Sequence, residues 1–236
     1  MKAYLSEFIG TFGFVLIGWC SVVLARPFIG YLGVSMAFGM AYAAFCHAFP
    51  EGHFNPAATV AAALSGGFRS RNKLLTALNA AGYIVVQTAG ACAAIALVQF
   101  VYAGKTGYVP QESVNIYLID RYTLSAAFWL ETTLNLLFLT VFLNASRAPA
   151  QKAAACGALI TAAYLLSFPV TKGAMNPAFS TAKALFGDEE ALSQLSLFWK
   201  ASLTAAVITG AACNPAIGKL FGEKDEKDTG NEKDKE

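Results

Sequence analysis

The stretch EGHFNPAATVAAALSGG, residues 51–67, decides the fold. It lies between two long apolar runs and is too short to cross a membrane. Asn55 stands at a helix-start position and Pro56 at the first helical position, where a missing N–H does no harm. Small apolar residues then run to the pair Gly66–Gly67. A helix from Pro56 to about Gly66 rises ~1.5 Å per residue, or about 16 Å, half of a hydrocarbon core ~30 Å thick. The preceding FPEGHF is irregular backbone. At membrane depth such backbone is tolerated only where protein buries it or it lines a wet cavity.

Charge scarcity puts this stretch in a membrane. Over residues 1–68 the only Lys, Arg, Asp or Glu are Lys2, Glu7, Arg26 and Glu51. Hydrophobic residues make up 56% of the chain, above the roughly 45–50% of a soluble domain. Runs long enough to span fall at about 4–25, 30–49, 76–104, 122–144, 152–170 and 194–217. Lys2 precedes a run of full-span length with no A-x-A-like cleavage site, so the first segment is expected to be retained. Lys2, Arg69, Arg71, Lys73, Arg147, Lys152 and Lys219 share one side, and the positive-inside rule predicts both termini in the cytoplasm. Short termini and loops suit a bacterial inner membrane. The tail 222–236 carries seven of the fifteen acids and four of the seventeen bases, with nothing apolar to pack, and is expected to be disordered.

The phrase returns. KGAMNPAFSTAKALFG, residues 172–187, carries Asn176, Pro177 and Ala178 where the first copy has Asn55, Pro56 and Ala57. Glu7 opens one half and Glu131 the other, 48 and 45 residues before their asparagines. Three spans per half is an odd number, so the second copy enters upside down. The expected fold is all-α: six transmembrane helices plus two re-entrant half-helices in an inverted repeat. One channel domain then covers 1–221, with repeats at about 1–105 and 120–221. Such repeats place their site at broken helices near the midplane.

Two half-helices meeting there bring together two positive helix N-termini with unpaired N–H groups. Asn55 and Asn176 offer amide donors. Backbone carbonyls around Gly52, His53 and Phe54, and around Gly173, Ala174 and Met175, are expected to line the path. This lumen suits a neutral, oxygen-bearing molecule and repels cations. The residues predict passive, selective permeation.

With GHFNPAAT, AFG in the second span and SFPVTKGAMNPA, the chain resembles the aquaporin (major intrinsic protein) family over nearly its whole length to about residue 218. CNPA at 213–216 has no half-helix after it and reads as chance. The resemblance implies one pore per subunit and a homotetramer. It also implies that Glu7 and Glu131, ionisable groups inside spans, accept hydrogen bonds from the re-entrant loops.

The departure from the family is local. Its second motif is Asn-Pro-Ala-Arg, whereas here Phe179 follows Ala178. Matching the remaining constriction positions gives Phe38, Tyr164 and Gly173. Phe38 lies 17 residues before Asn55, about three fewer than the family commonly has, which leaves Ser35 as the alternative register. An aromatic ring cannot replace the donors of an arginine, and an apolar constriction can gate by dewetting. Lys172 offers a charge near the mouth, or reaches outward to water.

Other function classes fit poorly. His47 and His53 are the only histidines, and no nucleophile–base or metal constellation appears, so neither enzyme, cofactor nor metal is expected. Scattered basic residues give no nucleic-acid surface. Cys20, Cys46, Cys92, Cys156 and Cys213 are unclustered and read as packing residues, and Gln87 as a bond within the bundle. The lead expectation is a channel for water or small uncharged solutes. The alternative is a largely closed protein of the same fold with a structural or partner-contact role.

Overall fold

The computed structural model describes residues 2–66, 72–104, 122–145, 149–187 and 189–215. Arg69, Arg71, Lys105, Arg121, Arg147, Asp188, Lys219 and the tail 222–236 lie outside them. The described residues form α1 (Lys2–Cys20), a π-helical turn (Ser21–Ala25), α2 (Arg26–Ala48), α3 (Pro56–Leu64), α4 (Lys73–Ala103), α5 (Leu124–Asn144), α6 (Pro149–Thr171), α7 (Pro177–Leu185) and α8 (Glu189–Ala212). Their faces are apolar outward as well as inward. Phe28 is 87% exposed and Phe100 78%, which water would penalise and lipid does not. The protein is an integral membrane protein.

Side chains start the helices, at Asn55 and Asn176 as expected. Asn55, Asn72, Thr123 and Asn176 are extended N-caps whose side-chain oxygens accept backbone N–H bonds from the first turn. α3 ends one residue short of Ser65, and Gly66 takes φ +81°, the left-handed conformation that closes a helix. The first connection is not an open loop. Helical backbone continues through 21–29, and the chain reverses at Gly30 (φ 61°, ψ −172°), a conformation open to glycine. α1 and α2 then pack antiparallel: the Phe38 ring fills the notch at Gly18 and the Phe45 ring that at Gly13.

Helix pairing repeats between the halves. α1 packs on α2 and α4, as α5 packs on α6 and α8; α3 packs on α8 and α4, as α7 packs on α4 and α8. Across the halves α2 meets α6 at the closest backbone approach. A Cβ on Gly39 would lie 2.4 Å from the Gly157 carbonyl oxygen, and one on Gly157 would lie 2.6 Å from the Gly39 oxygen. Glycine here lets two helices touch through backbone. Gly39→Leu is therefore expected to lower stability by about 1–3 kcal/mol or more, seen as a lower melting temperature in detergent. A variant that melts with the parent would mean that this seam yields freely.

The third Asn-Pro copy has a structural task. Asn214 Nδ2 donates to the Leu64 carbonyl at 2.6 Å, satisfying a carbonyl at the end of α3. All five cysteines are free thiols.

Candidate functional site: a waist between two half-helices

α3 and α7 meet N-terminus to N-terminus, joined by a reciprocal pair of bonds. Asn55 Nδ2 donates to the Met175 carbonyl (3.3 Å) and Asn176 Nδ2 to the Phe54 carbonyl (2.7 Å). Each asparagine divides its amide between two tasks. The oxygen caps its own helix: Asn55 Oδ1 accepts from Ala57 N (2.8 Å), and Asn176 Oδ1 from Ala178 N (3.0 Å) and Phe179 N (3.4 Å). One amide hydrogen ties the opposite loop, which leaves the second for the space between. That space is a cavity of about 10 Å³ lined by both asparagines, Phe14, Tyr42, Phe138, Ile160, Tyr164 and Met175. It matches about one water position.

The loops entering the waist are held by side chains from the bundle. Glu7, 1% exposed, accepts from His53 N (2.7 Å) at one oxygen. At the other it accepts from Phe54 N (2.8 Å) and Gln87 Nε2 (2.7 Å). Gln87 Nε2 also reaches Thr59 Oγ1 at 2.9 Å, so it belongs to this brace rather than to general packing. Phe54 has φ +53°, which a bulky residue rarely adopts. Its ring occupies the space left by Gly10 and Gly52, where a Cβ would meet it at 2.1 Å in each case. In the second half, Glu131 accepts from the Thr171 hydroxyl.

The loop carbonyls are already engaged. His53 O accepts from the Tyr42 hydroxyl (3.0 Å), Ala174 O from Ser180 Oγ (3.0 Å), and Phe54 O and Met175 O from the two asparagines. Gly173 O and Lys172 O accept from Lys183 Nζ at 3.3 and 3.2 Å. Each carbonyl keeps a second lone pair for a passing donor. Lys172 itself is half-buried, with φ +57°.

Beyond the waist, rings fill the path. Phe38 stacks on Tyr164 at 4.4 Å between centroids and meets Phe179 at 5.5 Å and Phe168 at 5.8 Å. Phe38, Tyr164, Phe168 and Phe179 are all 2% exposed or less. Gly173 (φ +71°) lies flat against this stack, since a Cβ there would come within 2.9 Å of the Tyr164 ring. Ser35, the alternative to Phe38, turns its hydroxyl onto its own helix at Tyr31 O, 2.7 Å away. Phe168 and Trp19 join the cluster unforeseen, Trp19 through Phe179 at 5.5 Å. Phe168 had a signal, standing four residues after Tyr164 on one helix face.

On the opposite side a cavity of about 390 Å³ opens, bounded by the ends of α3 and α5 and the start of α6. His53, Glu51, Phe142 and Lys152 are among its walls. Lys152 is 5% exposed; its ammonium lies 4.0 Å over the Phe142 ring and 3.5 Å from Pro50 O.

Comparison with known proteins agrees with this architecture. A model of the family described as "Major intrinsic protein" matches residues 1–212. Similar relatives include "Aquaporin Z" of Brucella melitensis, 36% identical over 91% of this chain and 97% of that one. Another is "Aquaporin Z" of Rhodopseudomonas palustris, 35% identical over 88% and 90%. Among solved structures, the X-ray structure of the aquaglyceroporin from Plasmodium falciparum superposes with a TM-score of 0.72. It covers 90% of this chain and 93% of its own at 16% identity, a likeness of fold.

Proposed function

Because this chain belongs to the major intrinsic protein family, we propose that it is a passive channel whose pore passes between Asn55 and Asn176 and is limited by Phe38, Tyr164, Gly173 and Phe179. Water and small uncharged solutes move through it down their gradients; it is a channel and not an enzyme. The reciprocal asparagine bonds across the midplane carry this reading. They aim two helix N-termini and two spare amide hydrogens at one shared space. A water oxygen held by both donors cannot accept a proton there, so a proton wire breaks at the waist. The paired positive ends repel cations.

The aromatic limit sets which solutes pass. No arginine stands at 179 to anchor a hydroxyl-bearing solute, and Phe38 and Tyr164 must part before anything crosses. Gly173 lets the Tyr164 ring lie directly against the backbone there. The two repeats, about 1–105 and 120–221, form a single domain with one pore. Its exposed apolar faces serve lipid and neighbouring copies in a homotetramer. Both termini face the cytoplasm of a bacterial cell membrane.

Stopped-flow light scattering on proteoliposomes, with water, glycerol and urea gradients in parallel, tests the reading. The expected result is water and solute flux above that of empty vesicles, with no sodium or proton current of comparable rate. Vesicles holding well-folded protein and no added flux for any of the three would overturn it.

A further inference from the structure

Lys183 has no part in the pore described above, yet it is 1% exposed. It stands on α7, seven residues after Asn176; the equivalent position on α3 is Ala62. Helical side chains point back toward the helix N-terminus. The ammonium accordingly returns to the re-entrant turn, where it holds Lys172 O and Gly173 O and lies 4.5 Å over the Phe179 ring. Phe179 touches Phe38, so the charge sits one ring away from the pore stack.

Glu131 faces the same turn from its other side. It is fully buried, and its Oε2 has no direct hydrogen-bond partner among the described residues. The Ala174 N–H and the Lys183 ammonium both act on this carboxyl electrostatically. Glu7 is provided for differently, with two backbone N–H groups and the Gln87 amide as direct donors. The first loop also has an ammonium over a phenyl ring beside it, Lys152 over Phe142 of α5 at Pro50 O. It draws that lysine from α6 instead of from the half-helix. Both loops are thus bracketed by a carboxylate that the repeat relates and an ammonium that it does not.

We propose that Lys183 is the counter-charge to Glu131, a positioning residue that makes the buried pair flanking the outer loop net-neutral and so keeps a buried anion beside the pore from drawing in cations. A carboxylate in a low-dielectric site without its partner charge attracts any cation reaching the constriction. With Lys183 in place the loop keeps its shape and the anion's field is cancelled at its source. The proposal rests on the channel reading, but its test does not need water flux.

The test compares the full chain with Lys183→Met, Lys183→Arg and Lys183→Met/Glu131→Gln in proteoliposomes. Sodium and proton leak are read across about pH 7–10, since a buried carboxyl deprived of its partner charge takes up a proton at the lower end of that range. Lys183→Met is expected to raise the leak on the order of tenfold, the effect of one uncompensated charge at about 10 Å in an effective dielectric near 20. Lys183→Arg should stay as tight as the parent, and the double variant should return to parent tightness. A purely structural lysine gives no such rescue. Lys183→Met as tight as the parent, or a double variant as leaky as the single, overturns the proposal. If Lys183→Met fails to fold, recovery of a folded, tight double variant still supports charge balance, and failure of both overturns it. Water flux of the parent in the same vesicles tests the channel reading separately.

Discussion

Glu7→Leu is expected to collapse the first re-entrant loop and abolish water flux. The substitution removes the acceptor of His53 N, Phe54 N and Gln87 Nε2 together, inside a bundle where Glu7 is 1% exposed. Each buried donor left without a partner costs about 1–3 kcal/mol. The two backbone groups alone therefore lose about 2–6 kcal/mol, against a total stability of roughly 5–15 kcal/mol. The damage spreads by geometry. Phe54 holds a left-handed backbone whose carbonyl accepts from Asn176, so a loosened Phe54 unties the second loop as well. Glu7→Gln keeps one acceptor oxygen and should fall between the two. Detergent melting curves and stopped-flow water flux on the same preparations check this. A Glu7→Leu protein that melts with the parent and conducts normally would show that the loop stands without its brace.

Phe38→Ala is expected to have the second large effect, in the opposite direction on flux. The Phe38 ring stacks on Tyr164, meets Phe179 and Phe168, and sits in the notch at Gly18. Opening a passage there means separating that stack, and an aromatic pair is worth about 0.5–1.5 kcal/mol beyond its burial. Removing the pair lowers the barrier by that amount, so glycerol and urea flux per folded protein should rise about two- to tenfold. The same change empties a packed site and costs about 3–5 kcal/mol of stability. Flux must therefore be normalised to the folded fraction, measured by size-exclusion profile. Unchanged solute flux from a folded Phe38→Ala protein would place the limiting barrier elsewhere, with the midplane waist as the next candidate.

The structure also gives a physical setting for the phenylalanine at 179. The Lys183 ammonium lies over that ring, and an arginine in its place would bring a second cation against the first. Phenylalanine instead offers the electron-rich face that a buried ammonium favours. The positive charge of this half-helix thus stands one helical turn after Phe179, over its ring.

Most of the architecture was legible because it follows from local rules. A lone Asn-Pro before ten small residues states a helix start and a length, and its return in a second half with an odd number of spans states the inversion. Glu7 and Glu131 announced themselves by cost, since an ionisable group inside an apolar run needs a partner. Phe38, Tyr164, Gly173 and Phe179 came from matching motifs, and the outer ring cluster gathers all four. Other features depend on contacts between distant segments. Gln87 looked like one more polar residue in a span, and its bonds to Glu7 and Thr59 require α1 and α3 to be in place. Asn214 serves α3 from 150 positions away. The reversal at Gly30 was hidden because helical residues continue up to it.

From the residues alone came the class of molecule, the count and lengths of the spans, the half-helices, the inversion and the carboxylates. All of these are set by hydrophobic length, capping chemistry and the expense of charge in lipid, which act within a few residues of one another. Tertiary structure decided how the rings close, where the loop carbonyls spend their lone pairs, and that Lys183 turns inward onto the Lys172 and Gly173 carbonyls. A lysine near the end of a short helix reads the same whether it reaches water or a buried carboxylate. Its direction is chosen by what the fold sets beside it, here two carbonyls and a phenyl face.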